Sequence, residues 1–300
     1  MLKKTGWKTG VTELSVFDWT SDRASLTCND KSFEVFSSHY SLGCSVQGEL
    51  LAVNTVALLE QTEIKDKIVL LYGEIASQQI APKNFPFWNP EKHQQLISLL
   101  ESGRPKALAC ATERNSATAG GVYPFPLFED GDFDIPSVYM KDTEGEKLLV
   151  CTGQTVELES KAIRIPETAF NVIGRNSDES KGRIVVTAHV DTKIGTPGAI
   201  DNGTGVAVIL LLAELLKGKT PKHPIELVIL NGEDYYGAPG QTKYLEQNAG
   251  RFDDIFLNIN IDGAGHREGP SCFSTRILKD CRNTSNFSWR FIPKRNENRY

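Results

Sequence analysis

The chain has no long hydrophobic run. Its longest purely apolar stretch, Val206–Ala213, is far shorter than the roughly 20 residues that a membrane-spanning helix needs. The N-terminus, MLKKTGWKTG, contains no apolar core of the kind found in signal peptides. We therefore expect no membrane segment and a cytoplasmic location, or a secreted one if an export signal has been lost from the front of the chain.

Closely spaced cysteines and an excess of positive charge are also missing. The six cysteines are scattered without a CxxC pair, at positions Cys28, Cys44, Cys110, Cys151, Cys272 and Cys281. This spacing is typical of reduced core thiols in an intracellular protein, and one or two disulfides would fit a secreted one. The formal charge of -5 and the isoelectric point near 5.7 argue against a binder of nucleic acids or anionic membranes.

The chain has 300 residues, of which 40% are hydrophobic, and is therefore long enough to bury a sizeable core. Between about residue 40 and residue 160, short strand-like runs include KIVLLY (Lys67–Tyr72) and KALAC (Lys106–Cys110). A helix-like stretch, Gln94–Leu100, lies between these two runs. These short strand-like runs predict a small, separate β-rich module.

From Ala162 onward, strand-like and helix-like segments alternate. They are the predicted strands Ile184–Ala188, Ile225–Leu230 and Ile255–Ile261 and the predicted helices Thr204–Lys217 and Gln241–Asn248. Strands that alternate with helices form largely parallel sheets covered on both faces. The sequence therefore predicts an α/β fold with a mixed, mainly parallel, twisted sheet and helices on both of its faces.

Chemically active side chains lie at the ends of these three predicted strands. His189, the pair Glu233 and Asp234, and Asp262 each end an apolar run, and Asp201 follows His189 after a loop that contains Gly and Pro. Ligands bind at the carboxyl ends of strands in open α/β sheets, so we expect these side chains to converge on one cleft. Each residue alone has an ordinary explanation as a turn or surface residue. Their combination at successive strand ends indicates a site.

The residue types suit a metal-dependent hydrolase. A divalent metal provides a nucleophile at neutral pH by lowering the pKa of bound water, and zinc accepts imidazole nitrogen and carboxylate oxygen. His189 can supply nitrogen, whereas Asp201 and Asp262 can supply oxygen. Asp191, two residues after His189, is placed to orient a coordinating imidazole. Glu233 adjoins Asp234, and since only one of two neighbouring side chains need face the metal, Glu233 is the candidate general base.

Four motifs carry a resemblance to a known family. They are TAHVDT (Thr187–Thr192), GAIDNGTG (Gly198–Gly205), NGEDYYG (Asn231–Gly237) and NIDGAG (Asn260–Gly265). Together they resemble the di-zinc aminopeptidases, family 28 of the metallopeptidases, and the middle segment looks like a protease-associated (PA) domain. The resemblance implies that residues 1–40 begin the peptidase domain, that 41–160 form a PA-like insertion and that 161–273 form the incomplete zinc peptidase domain. Residues 274–300, rich in Lys, Arg and Asn and poor in aliphatic residues, are expected to form an atypical, poorly ordered tail.

The resemblance also implies a role for each site residue. His189 and Asp262 would bind one zinc ion, Asp201 would bridge both ions and Asp234 would bind the second. Glu233 would be the general base, and the reaction would release the N-terminal residue of a peptide substrate.

One ligand of the family pattern is missing from this sequence. The family completes its second zinc site with a histidine far beyond the position of Asp262, whereas the last histidine here is His266, in a Gly-rich loop. His223 precedes a predicted strand and should lie at the opposite end of the sheet. The chain therefore looks cut at both ends, and we expect a weakened second zinc site and impaired activity.

Two other functions remain open at this stage. The chain would be a catalytically inactive binding protein if it keeps the peptidase fold without a working metal site. It would instead be another di-zinc amide hydrolase, such as a carboxypeptidase or an aminoacyl cyclase, if its substrate pocket differs. The sequence leaves the oligomeric state and the preferred substrate side chain undecided.

Overall fold

The computed structural model describes residues 1–86, 88–112, 124–265 and 272–277, and these form two compact units. The first unit comprises Met1–Val16 and Thr168–Tyr300, and the second comprises Phe17–Glu167. The chain passes from the first unit to the second within strand β1 (Lys8–Cys28) and returns within strand β8 (Thr155–Arg175). In the described ranges, no helix is long and apolar enough to cross a bilayer.

The first unit is built on a mixed sheet. Its strands are β8, β9 (Arg183–His189), β10 (Ile225–Leu230), β11 (Ile255–Asp262) and β12 (Cys272–Ile277), in the order β12-β11-β9-β10-β8. The three inner strands, β11, β9 and β10, are parallel, whereas β12 and β8 are antiparallel to their neighbours. The mixed, mainly parallel sheet predicted from the sequence is therefore confirmed.

Helices cover both faces of this sheet. Alternate strand residues point to opposite faces, so each face carries apolar side chains that pack against a helix. On one face, Val186 and Ala188 pack in a cluster with Ile209 and Ala213 of helix α4 (Gly205–Leu215). On the other face, residues of four strands pack with Tyr244 of helix α5 (Pro239–Gln247). These strand residues are Val185, Val228, Leu230, Ile173 and Ile255. Strands β9 and β10 are thus buried on both faces, which explains their largely apolar sequences.

The N-terminus belongs to the first face. Leu2–Thr5 forms one turn of 3-10 helix that ends at Gly6, whose φ of 88° is in the left-handed region. Trp7 follows, is buried in the same cluster as α4, and donates a hydrogen bond from Nε1 to the carbonyl oxygen of Ala213 at 3.2 Å. The predicted helix end at the start of the chain is therefore part of the first unit.

The second unit is also an α/β structure. Its strands are β2 (Lys31–Phe33), β3 (Phe36–Ser37), β4 (Cys44–Val53), β5 (Ile68–Leu71), β6 (Ala107–Thr112) and β7 (Ser137–Lys141), and its helices are α1 (Val56–Gln61), α2 (Glu91–Gly103) and α3 (Asp142–Leu148). Strands β4 to β7 are parallel in sequence order, β3 lies antiparallel on β7, and β2 pairs with the end of β1. Helix α2 begins three residues before the predicted Gln94 because Pro90 sets its start.

The second unit extends beyond the predicted 41–160 module on both sides, because β1 and β8 each place part of their length in it. The identification of this module as PA-like stays a prediction. At the other end of the chain, β12 covers Ser274–Ile277, the first residues of the predicted tail, and residues 278–300 lie outside the described ranges.

Candidate metal centre

The carboxyl ends of the three parallel strands meet at one edge of the first sheet. Leu230 pairs with His189, and Asn260 pairs with Thr187, two residues before His189. His189, Leu230 and Asp262 are consequently level with one another, and Asn231 follows one residue further along. This alignment brings together the strand-end residues that the sequence analysis singled out.

His189 occupies the centre of the cluster. Its side chain is only 3% exposed, and its Nδ1 lies 3.1 Å from the carbonyl oxygen of Asp191. Because a carbonyl oxygen only accepts, Nδ1 must be the donor, so Nε2 faces the carboxylates. Nε2 lies 3.0 Å from Asp201 Oδ1, 3.4 Å from Asp262 Oδ1 and 3.8 Å from Glu233 Oε2. It has no hydrogen-bond partner within the described part of the chain.

The surrounding carboxylates strongly stabilise a positive charge at His189 Nε2. Burial by itself would lower the pKa of His189, but Asp191, Asp262 and Glu233 together raise it to about 11. Burial acts to raise the pKa of Asp191, but the nearby His189 imidazole and hydrogen bonds from backbone N–H groups lower it. A buried imidazole in such a field holds either a proton or a metal cation, and metal binding displaces the proton.

Two further carboxyl groups are perturbed. Burial, followed by the influence of neighbouring carboxylates, raises the pKa of Glu233 to about 7 and that of Asp234 to about 6. Glu233 is 30% exposed at its side chain, and Asp201 is 64% exposed, so the cluster opens to solvent on the Asp201 side. A peptide could therefore approach the cluster from that side.

The donor set fits a zinc ion. One ligand atom from each of His189, Asp201 and Asp234 lies within 4.8 Å of the other two, and one nitrogen with two carboxylate oxygens is a set that zinc accepts. Asp262 lies outside this compact set but close to His189 Nε2. The unpartnered Nε2 is the observation that favours a cation, because a neutral imidazole lone pair would otherwise face carboxylate oxygens directly. The geometry thus accommodates the four predicted ligands, and Glu233 lies beside them.

Asp191 does more than support His189. Its Oδ1 accepts hydrogen bonds from the backbone N–H groups of Gly232 at 2.7 Å and Glu233 at 3.1 Å, and its Oδ2 accepts one from Asp234 at 2.9 Å. The sequence predicted the contact with His189 but not these three bonds. Asp191 therefore holds the backbone of the segment that carries Glu233 and Asp234.

Asn202 is a site residue that the sequence analysis missed. Its buried side chain donates from Nδ2 to the carbonyl oxygen of Ile261 at 2.8 Å and accepts from the N–H of Gly205 at 2.9 Å. It thereby ties the turn that carries Asp201 to the strand that carries Asp262. A Cβ atom on Gly205 would lie 2.3 Å from Asn202 Oδ1, so only glycine fits there. The sequence Asp-Asn-Gly suggested an ordinary turn, which concealed this role.

The other histidines do not join the cluster in the described residues. His223 precedes β10, donates a hydrogen bond from Nδ1 to the carbonyl oxygen of Gly182 at 3.0 Å, and stacks on Phe256. It therefore lies at the amino ends of the parallel strands, as predicted. His266 lies outside the described residues.

Comparison with known proteins agrees with this geometry. Residues 171–295 match the model of peptidase family M28. A vacuolar membrane protease of Arthroderma gypseum is 30% identical over 188 residues, which are 60% of this chain and 18% of that protein. Aminopeptidase YwaD of Bacillus subtilis is 29% identical over 144 residues, which are 47% of this chain and 31% of that protein. The chain thus spans less than a third of the length of either relative.

Two solved structures share the fold. The aminopeptidase from Aneurinibacillus sp. strain AM-1 superimposes with a TM-score of 0.68 and 20% identity, over 90% of this chain and 64% of that one. BSAP, a zinc aminopeptidase from Bacillus subtilis, gives a TM-score of 0.63 and 20% identity, over 88% of this chain and 60% of that one. The segment that matches the model of peptidase family M28 begins at Asn171 and includes every residue of the cluster.

Proposed function

We propose that the chain is a zinc-dependent aminopeptidase that hydrolyses N-terminal peptide bonds. The observation that carries this proposal is the buried His189 Nε2, which faces Asp201, Asp262 and Glu233 without a hydrogen-bond partner among the described residues. The match to family M28 and the aminopeptidase activity named for the relatives support the same reaction class.

We assign the ligands as the resemblance to the di-zinc aminopeptidases implies. His189 and Asp262 would hold one zinc ion, Asp201 would lie between both ions, and Asp234 would hold the second. Zinc in such a site lowers the pKa of a bound water and polarises the scissile carbonyl group. Asp191 keeps the imidazole oriented through its carbonyl oxygen and the Glu233 segment fixed through its carboxylate.

Glu233 is the group that moves the proton. Its Oε2 lies 3.8 Å from His189 Nε2, within the cluster but outside the compact donor set of His189, Asp201 and Asp234. In this position Oε2 takes the proton from the attacking water and returns it to the amine that leaves. Removal of a general base typically costs about 10²–10⁴ in rate.

One observation supports a second candidate function. Within the described ranges, the donor set contains a single imidazole, and the second ion would have only Asp201 and Asp234 as protein ligands. Such a site would bind its metal weakly, and a chain that holds one ion or none would act as a peptidase-fold binding protein without turnover.

Zinc content and hydrolysis separate these two functions. Zinc per folded chain would be measured by elemental analysis after dialysis against a zinc-buffered solution, and turnover would be measured with aminoacyl anilides. We expect hydrolysis only of substrates with a free N-terminal amine, and no hydrolysis of the same anilides after N-acetylation.

Glu233→Gln is the matched control because it keeps the shape of the side chain and removes the base. We expect it to bind as much zinc as the wild type and to lose at least about 100-fold in kcat. Zinc binding without any turnover in the wild type would favour the binding protein. Wild-type turnover that survives in Glu233→Gln would refute the assigned base.

A further inference from the structure

The segment between β10 and α5, residues 231–240, carries both Glu233 and Asp234, and its two ends are joined. The N–H of Gly240 donates to the carbonyl oxygen of Asn231 at 3.0 Å. We call this segment the base loop, and the Asn231–Gly240 contact its stem.

A side chain from another strand completes the stem. Asn171, on β8, is fully buried. Its Oδ1 accepts from the N–H of Asn231 at 3.0 Å, and its Nδ2 donates to the carbonyl oxygen of Gly240 at 2.9 Å. One carboxamide thus satisfies a donor at one end of the base loop and an acceptor at the other, which a carboxylate or an aliphatic side chain of similar size cannot do.

The stem is packed without spare room. A Cβ atom on Gly240 would lie 2.2 Å from the carbonyl oxygen of Asn231 and 2.6 Å from Asn171 Oδ1. The two strands of the stem therefore cannot shift past each other without breaking the bonds to Asn171. Further along the base loop, Asp191 holds the N–H groups of Gly232, Glu233 and Asp234, so the loop is fixed at two separate places.

We propose that Asn171 is a positioning residue of the metal centre, which fixes the base loop and thereby places Glu233 and Asp234 against His189. It acts through the backbone of Asn231 and Gly240 and makes no direct hydrogen bond to the proposed metal ligands within the described residues. The ordering of the base loop by Asn171 stands on the hydrogen bonds alone. Its effect on turnover rests on the proposed function, because displacement of a catalytic group by about 1 Å can cost about 100-fold in rate.

The chain offers a matched control in the same pair of strands. Asn176, five residues along β8 and just beyond its end, accepts at Oδ1 from the N–H of Ile225 at 2.8 Å, at the start of β10. Asn176→Ala removes the same kind of side chain to backbone bond at the end of β10 that is remote from the cluster. A purely structural role for Asn171 would give both variants the same profile.

The test compares wild type, Asn171→Ala, Asn171→Asp and Asn176→Ala. The readouts are hydrogen–deuterium exchange of a peptide that covers residues 231–240, zinc affinity by competition with a chromogenic chelator, and kcat and KM on an aminoacyl anilide. Asn171→Asp keeps the acceptor for Asn231 and loses the donor to Gly240, so it carries the test if Asn171→Ala does not fold.

For Asn171→Ala we expect at least about tenfold faster exchange in residues 231–240, about tenfold weaker zinc binding and at least about tenfold lower kcat, with KM within about threefold of wild type. Asn171→Asp should show a smaller change of the same kind. Asn176→Ala should leave all of these within about twofold, although its melting temperature falls.

Equal exchange of residues 231–240 in Asn171→Ala and Asn176→Ala would overturn the proposal. If the wild type neither binds zinc nor hydrolyses the anilide, the proposed function fails, and the exchange comparison still decides whether Asn171 orders the base loop.

Discussion

A buried charged group of the first unit gives the sharpest stability prediction. The side chain of Glu226, on β10, is only 2% exposed and accepts hydrogen bonds from Tyr244 Oη and from Arg175 Nε, each at 2.5 Å. Arg183, whose side chain is 4% exposed, places its Nε 3.5 Å from Glu226 Oε1. Arg183 is fixed in turn by a bond from Nη2 to Asn248 Oδ1 at 2.6 Å. The network ties β8, β9 and β10 to the end of α5.

For two substitutions, the expected loss in the free energy of unfolding follows from the interactions that remain around Glu226 and Arg183. Tyr244→Phe removes one bond to a charged acceptor but leaves Glu226 paired with both arginines, so we expect a loss of about 2 kcal/mol in the free energy of unfolding. Glu226→Gln leaves Arg183 buried without a counter-charge, so we expect about 3–5 kcal/mol. Arg175 is half exposed and adds little to either figure, since water screens its charge.

Hydrogen–deuterium exchange is the suitable assay, because the two units need not unfold together. The slowest-exchanging amides of β10 report the opening free energy of the first unit, measured in EDTA so that metal binding does not contribute. The same substitutions should leave the slowest amides of β5, in the second unit, unchanged.

The double variant tests whether the hydrogen bond from Tyr244 to Glu226 accounts for the loss of stability in Tyr244→Phe. In a Glu226→Gln background, Tyr244→Phe should cost about 1 kcal/mol less than in the wild type, because the hydroxyl then faces a neutral acceptor. A loss below about 0.5 kcal/mol for Tyr244→Phe, or wild-type stability for Glu226→Gln, would refute the picture of a charged, fully paired Glu226.

Three further predictions concern other parts of the molecule. Asp191→Asn should weaken zinc binding by about 10–100-fold, because an amide cannot accept all three N–H groups of the base loop; unchanged affinity in a chelator competition would contradict this. Gly205→Ala should destabilise the first unit by about 1–3 kcal/mol because the added Cβ overlaps with Asn202. Gly10→Ala should not destabilise it, because its added Cβ meets nothing within 4 Å. Similar hydrogen–deuterium exchange of β10 in both variants would be evidence against the overlap. Burial lowers the pKa of His93 below 6.5. As the pH falls, the unfolded chain therefore takes up the proton before the folded one does. The contribution of neutral His93 to the stability of the second unit should be fully present above about pH 6.5 and decline below it. Between about pH 7.5 and pH 5, His93→Gln should therefore lose less thermal stability than wild type, and an equal loss would count against this cause.

The sequence predicted the inner strands of the first unit well because their signal is local. Ile225–Leu230 is apolar at every position except Glu226, and its predicted bounds are those of β10. The predicted helix Thr204–Lys217 differs from α4 by only one or two residues at each end. A strand that is buried on both faces and a helix that is packed on it must both be apolar, so composition and length alone reveal them.

Long strands were harder to predict. Only Val11–Trp19 and Gln154–Glu159 show strand-like alternation, yet β1 and β8 continue through exposed polar residues to 21 residues each. Exposed positions of a strand carry no apolar signal, so their pairing is decided by neighbouring strands rather than by their own side chains.

The sequence by itself determined which residues can supply the chemistry. His189, Asp201, Glu233, Asp234 and Asp262 follow apolar runs that become parallel strands, and parallel strands align their carboxyl ends. Only the tertiary structure decided which side chains hold these residues in place. Asn171 and Asn231 are 60 positions apart, and Asn202 and Ile261 are 59 positions apart. A buried carboxamide is chosen by the backbone groups that surround it after folding, and no local pattern records which groups those will be.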